Sequence, residues 1–82
     1  EVDFIAIINN RQQILIQVCE SLAAPKTLKR EINALNAAMH EFGRNSGIII
    51  TLHEEKSIEV LAGKILVIPA WKFLLYIENI IK

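Results

Sequence analysis

An amphipathic helix between strongly apolar segments is the feature that most constrains how this chain can fold. In the stretch PKTLKREINALNAAMHEFG, apolar residues recur at spacings of four and three, namely Leu28, Ile32, Leu35, Met39 and Phe42. This spacing places them on one face of a helix. Pro25 suits the first turn of that helix, and Gly43 is suited to end it. Such a face must be covered, so the flanking segments decide the architecture.

The flanking segments are typical of strands. Two apolar runs, 2–8 and 14–20, precede the helix and are joined by the polar turn NNRQQ. The first run is largely apolar on both faces, which favours an interior strand. The run 48–52 follows the helix and is apolar apart from Thr51, as buried parallel strands often are. Shorter strands are predicted over 57–61 and 65–68, and a final helix over 71–81.

This order, β-β-α-β-β-β-α, predicts an α/β fold. A long helix after two strands, followed by an apolar strand, indicates a mixed sheet of about five strands with one crossover helix and a C-terminal helix. The 82 residues suffice for one domain, 1–82. The apolar share, 52%, is high for so short a chain, and the first residue is Glu in an apolar strand. We therefore expect an excised fragment of a larger protein.

Charge and hydropathy exclude some classes of function. Nine basic and nine acidic residues cancel, so no global field attracts nucleic acid. No apolar run approaches the roughly 20 residues of a membrane span, and no signal peptide is visible. A cytoplasmic protein without a membrane partner is the expectation.

Polar residues at the rim of the first two strands raise the question of a site. Residues two apart in a strand share a face. Asp3 and Gln17 therefore face each other only if the hairpin loop has an odd number of residues, for example a three-residue loop at 9–11. An even loop separates them, and the sequence leaves the register open.

Three stretches resemble a known family. The hairpin EVDF…ILIQVCE resembles the core hairpin of the restriction-endonuclease-like fold, the PD-(D/E)XK superfamily. Together, EVDFI…LIQVCESL, TLKREINALNAAMHEFG and GIIITLHEE…KILVIPAWKFLL resemble the C-terminal domain of unknown function found in a group of prokaryotic AAA-type ATPases. The resemblance implies a truncated restriction-endonuclease-like core at the C-terminal end of a larger, ATP-binding protein.

The resemblance also implies roles for individual residues. In active members, two acids hold a divalent metal and a lysine orients the water. Carried over, Asp3 is the first acid, Gln17 stands in place of the second, and Cys19 in place of the lysine. Gln17 adds no charge and Cys19 no cation, which indicates a degenerate site without a cofactor of its own. The alternative is a Mg-dependent DNA phosphodiesterase using Asp3 and Gln17, with a lysine supplied by Lys26 or Lys29.

A basic helix start is a second candidate site. Lys26, Lys29 and Arg30 crowd the first turns of the main helix, where free N–H groups can bind phosphate. The alternative is a solvated helix end, which we favour. No aromatic residues interleave with these charges, which argues against stacking-based binding of single-stranded nucleic acid.

The cysteine and histidine residues give little indication of a catalytic or zinc site. Cys19 is a nucleophile by type, but neither His40 nor His53 has a spacing that pairs it with Cys19, so a buried structural thiol is favoured. The two histidines also lack a second histidine at helical spacing, so a zinc site is unsupported. HEEK at 53–56 is interpreted as a solvated turn.

The C-terminal helix is apolar on more than one side. Such a helix must be covered on several sides. We therefore expect Trp71, Phe73 and Leu75 to form an interface with the rest of the ATPase or with a second copy. The alternative is that Trp71 and Leu74 belong to the core. The leading hypothesis is a non-catalytic accessory domain of an AAA-type ATPase, and a homodimerisation module is a further alternative.

Overall fold

A five-stranded mixed sheet with a helix on each face forms the fold. The structure is a computed structural model that describes residues 4–9 and 12–81, with the side chains of residues 14–75 and of Glu78. The elements in chain order are β1 (Phe4–Asn9), β2 (Gln12–Val18), α1 (Pro25–Glu41), β3 (Ser46–Thr51), β4 (Lys56–Val60), β5 (Gly63–Pro69) and α2 (Ala70–Ile81). The predicted α/β class, element order and mixed sheet are confirmed.

The sheet order is β1-β2-β3-β5-β4. β2, β3 and β5 pair in parallel, while β1 and β4 are antiparallel to β2 and β5. α1 connects the parallel neighbours β2 and β3, so the predicted crossover helix is confirmed. The predicted interior position of β1 is wrong, because β1 pairs with β2 alone and lies at the edge of the described sheet. The predicted turn at 9–13 is also too long, since Asn9 pairs with Gln12.

α1 packs closely on one face of the sheet. Leu35 and Met39 of α1 are fully buried against Ile49, Ile65 and Val67, and the cluster also contains Leu15 and Leu22. A Cβ atom at Gly47 would lie 3.0 Å from Leu35 Cδ2 and 3.1 Å from Met39 Sδ. A larger residue at position 47 would therefore require the Leu35 and Met39 side chains to shift.

The two ends of α1 differ in how their free backbone N–H and C=O groups are hydrogen-bonded. At the start, Ala24 is the N-cap residue and contributes no side-chain hydrogen bond. At the end, Gly43 has φ of 66°, and Arg44 N donates to Met39 O at 2.7 Å. A positive φ is readily adopted by glycine, so the predicted helix stop at Gly43 is confirmed.

α2 packs on the opposite face. It follows β5 directly and lies against β3 and β5. Phe73 and Ala70 contact the cluster formed by Ile16, Ile48, Ile50 and Ile68. Neither this helix nor any other among the described residues is long and apolar enough to cross a membrane.

Candidate functional site

The register of the β1–β2 hairpin decides which residues share a face with Gln17. Phe4 pairs with Gln17, Ala6 with Leu15 and Asn9 with Gln12. Two residues, 10 and 11, separate the paired ends, so the hairpin has the even register. An even loop is the arrangement predicted to separate the faces of Asp3 and Gln17. Asp3 itself lies outside the described residues. Its role as a metal ligand therefore stays a prediction.

Gln17 is buried under α1 and paired with Glu31. Gln17 and Glu31 are 0% and 1% exposed. Gln17 Nε2 donates to the Glu31 backbone carbonyl oxygen at 3.2 Å and also to Glu31 Oε1. Arg30 Nη2 lies 3.5 Å from the second carboxylate oxygen, Glu31 Oε2, and comes from an exposed side chain. This cluster joins the C-terminal end of β2 to the second turn of α1 inside the protein.

The Gln17–Glu31 pair has one unfilled hydrogen-bonding position. Gln17 Oε1 is buried and has no partner among the described residues. The pair thus offers a neutral carbonyl oxygen next to a carboxylate, two ligand types that Mg²⁺ accepts. No group of three or more His, Cys, Asp or Glu side chains is arranged for a metal in the described part of the chain. The amide oxygen of Gln17 and the carboxylate of Glu31 are thus of the ligand types that Mg²⁺ binds.

An open groove runs along the end of β2 and the start of α1. It has a volume of about 670 Å³, and its lining includes Cys19, Ser21, Thr27, Arg30 and Glu31. The half-buried Cys19 thiol donates to Ser21 O at 3.3 Å. Cys19 is thus hydrogen-bonded within its own turn, at the rim of the core rather than inside it.

The three predicted phosphate-binding cations are exposed at the start of α1. Lys26, Lys29 and Arg30 all have exposed side chains. Arg30 lines the groove and lies near Glu31, which reduces its availability to an anion. The two lysines are not among the residues that line the groove. The structure therefore does not bring the three cations together around one pocket.

The predicted solvated turn HEEK is wrong for one of its residues. Glu54 is half-buried, and its carboxylate accepts hydrogen bonds from Leu22 N at 2.9 and 3.1 Å and from Ser21 Oγ at 3.3 Å. The backbone of Glu54 is held by Thr51 Oγ1 through bonds of 3.0 and 3.1 Å. Glu54 therefore fixes the loop that leads from β2 into α1. His53 is exposed beside it, and His40 is exposed in the last turn of α1.

The outer side of α2 carries large apolar side chains in contact with solvent. Trp71, Leu74 and Leu75 are 60%, 66% and 53% exposed. We call these three residues the outer face of α2. Phe73, the third predicted interface residue, is half-buried against the sheet and belongs to the core contact instead. Among the predicted interface residues, Trp71 and Leu75 thus share a surface, and Phe73 anchors the helix beneath them.

Sequence patterns missed the roles of Glu31 and Glu54, and they gave Leu74 only as an alternative core residue. Glu31 lies three residues after Leu28 and four before Leu35, so the helical spacing that identified the core also includes this acid. Leu74 lies three residues after Trp71, a spacing that places both on one side of the helix. Glu54 has no such signal, because its partners are contributed by a loop more than 30 residues away in sequence.

Comparison with known proteins adds no assignment. No protein-family model, no curated protein and no solved structure matches this chain.

Proposed function

We propose that this chain is a non-catalytic interaction domain with a restriction-endonuclease-like core and that it serves an AAA-type ATPase. The domain binds its partner protein through the outer face of α2. The observation that carries this proposal is the exposure of Trp71, Leu74 and Leu75 on one helix. The ATPase is proposed from the three stretches of sequence that resemble the accessory domain of such enzymes.

The outer face of α2 suits a protein partner for energetic reasons. Contiguous apolar surface of this kind marks interaction sites more often than scattered apolar residues do. Its burial would contribute about 25 cal/mol for each Å² removed from water. Phe73 packs α2 against the sheet, so the three exposed side chains belong to a helix that is fixed to the domain.

The position of Gln17 supports a structural use of the former nuclease hairpin. Its amide nitrogen satisfies both the backbone carbonyl and the carboxylate of Glu31. A buried carboxylate needs such donors, because an unpaired charge in the interior is costly. The neutral amide that replaces an acid therefore stabilises the contact between β2 and α1.

The proposal is tested by co-purification with the ATPase portion that the domain is proposed to serve. We expect the unmodified domain to bind and the Leu74→Glu variant to lose binding, since a charge would then enter an apolar contact. Leu61→Glu is the matched control, because Leu61 is fully exposed and belongs to the β4–β5 turn rather than to α2. Equal binding by the wild-type and Leu74→Glu domains would contradict the proposed surface.

A second candidate function is a Mg-dependent DNA phosphodiesterase. The observation that favours it is the buried, unpartnered Oε1 of Gln17, whose amide nitrogen donates to the Glu31 carboxylate. In this case Gln17 and Glu31 would hold the ion, and the ion would stabilise charge at the phosphate. Plasmid cleavage in Mg²⁺ or Mn²⁺, abolished by both Gln17→Leu and Glu31→Gln, would establish it, and loss of cleavage in Asp3→Ala would test the predicted role of Asp3. Absence of cleavage and of calorimetric metal binding is the result expected from an interaction domain.

A further inference from the structure

We infer that the outer face of α2 binds a second copy of this chain, with the two α2 helices antiparallel about a two-fold axis between Leu74 and Leu75. The inference takes from the proposed function that the outer face of α2 binds protein, and it makes a second copy of this chain, rather than the ATPase portion directly, the protein that covers this face. It follows from the order of side chains along α2 and from the charges at the two ends of the exposed stripe.

The exposed side chains form one stripe along the helix. Trp71, Leu74, Leu75 and Glu78 are exposed and stand at positions i, i+3, i+4 and i+7. Positions with these offsets lie on one side of an α-helix. Phe73, which lies outside this set, points toward the sheet. The stripe therefore faces away from the rest of the domain.

The stripe is symmetric about its own midpoint. In a contact between identical surfaces related by a two-fold axis, residue i meets residue j and residue j meets residue i. With the axis between positions 74 and 75, Leu74 meets Leu75 of the second copy. Trp71 then meets Glu78 of the second copy, and both pairs occur twice.

Charge complementarity distinguishes this arrangement from the alternatives. Lys72 follows Trp71, is 48% exposed and pairs with Glu55 of its own chain. The antiparallel arrangement brings Glu78 to an indole N–H donor and an ammonium group at the start of the other helix. A parallel arrangement in register would instead place the two Glu78 carboxylates together, and like charges in contact are destabilising. The apolar centre and the charged ends thus favour the same antiparallel pairing.

A charge-swap experiment tests both the partner and the orientation. The first variant is Glu78→Lys. The second is the double variant Glu55→Lys/Lys72→Glu, which reverses an ion pair inside one chain and so keeps α2 attached. Each variant alone should raise the dissociation constant of the dimer by about tenfold or more, the equivalent of ~1.4 kcal/mol, because two repulsive contacts form. An equimolar mixture of the two should restore the dimer, since opposite charges again meet at both ends.

The readouts are sedimentation equilibrium and tryptophan emission. Trp71 is the single tryptophan of the chain, so its emission should shift to shorter wavelength as the concentration rises and the dimer forms. Leu61→Ser should leave mass and emission unchanged, and far-UV circular dichroism checks that each variant is folded.

Two outcomes would overturn the inference. One is the mass of a single chain up to about 1 mM, the concentration that corresponds to a binding free energy of about −4 kcal/mol. The other is a dimer that neither Glu78→Lys nor Leu74→Glu weakens. Neither result contradicts the proposed function, which fails separately if Leu74→Glu does not weaken binding to the ATPase portion.

Discussion

The two faces of the sheet are covered in different ways. On the α1 face, apolar residues of β2, β3 and β5 are sealed beneath a 17-residue helix. On the α2 face, Val18 and Leu66 remain 45% and 43% exposed, although they share that face with Ile50 and Ile48. The covering helix itself also exposes Trp71, Leu74 and Leu75.

This difference separates two roles within one small domain. The α1 face contains the fully buried polar pair Gln17–Glu31 together with the most deeply buried apolar side chains. Buried polar groups must be positioned accurately, because each one left without a hydrogen-bond partner lowers the stability of the fold by about 1–3 kcal/mol. We conclude that the α1 face specifies the fold, whereas the α2 face retains apolar surface that a partner can cover.

The largest effect should come from truncating the α1 face and sparing the α2 face. Leu35→Ala removes a fully buried side chain and should lower the free energy of unfolding by about 2–5 kcal/mol. Leu74→Ala should change it by no more than about 0.5 kcal/mol, since Leu74 is exposed. Urea denaturation at a concentration where the chain is monomeric measures both. Similar losses for the two variants would remove the distinction between the faces.

The next effect concerns the polar pair on the α1 face. Gln17→Leu leaves the buried Glu31 carboxylate without its amide donor and should cost about 1–3 kcal/mol. Glu31→Leu should cost a similar amount or less, because the Gln17 amide then loses its carboxylate acceptor and keeps only the backbone carbonyl of residue 31. The double variant should cost less than the sum, since replacing both partners by apolar groups of similar shape is close to neutral. A double-mutant cycle from urea denaturation gives the interaction energy directly.

The double-mutant cycle also bears on the two candidate functions. Additive losses would show that the two side chains do not stabilise each other, and Gln17 would then have no structural reason to be an amide. A strong interaction supports the structural use of Gln17. The same variants assayed for plasmid cleavage keep stability and activity apart.

Local patterns in the sequence predict the elements well. The spacing that includes Leu35 and Met39 predicts α1, and the apolar run around Ile49 predicts a parallel strand at the centre of the sheet. Both predictions depend on neighbours in sequence or on hydrophobicity alone. Gly43 is equally local, because a helix that ends with positive φ favours glycine there.

The candidate site was less accessible to sequence reasoning because it depends on register and on distant partners. The hairpin faces are set by whether two or three residues close the turn, and side-chain periodicity alone cannot fix that number. The partner of Gln17 is 14 residues away on α1, and that of Glu54 is 32 residues away. The edge position of β1 likewise follows from the order of the strands, which hydrophobicity does not encode.

The smallest effect should come from the ion pair that ties α2 to the rest of the domain. Lys72 of α2 bonds Glu55 in the turn between β3 and β4, and both side chains are about half exposed. Exposed pairs contribute about 0.2–1 kcal/mol, and salt screens them. Lys72→Ala should therefore lower the free energy of unfolding by that amount at low salt and by less at 1 M NaCl, with Lys29→Ala on α1 as the matched control. A loss well above 1 kcal/mol that persists in salt would mean that the β3–β4 turn holds α2 on the domain more than Phe73 does. The attachment of α2 would then depend on that turn as well as on its apolar contacts with the sheet.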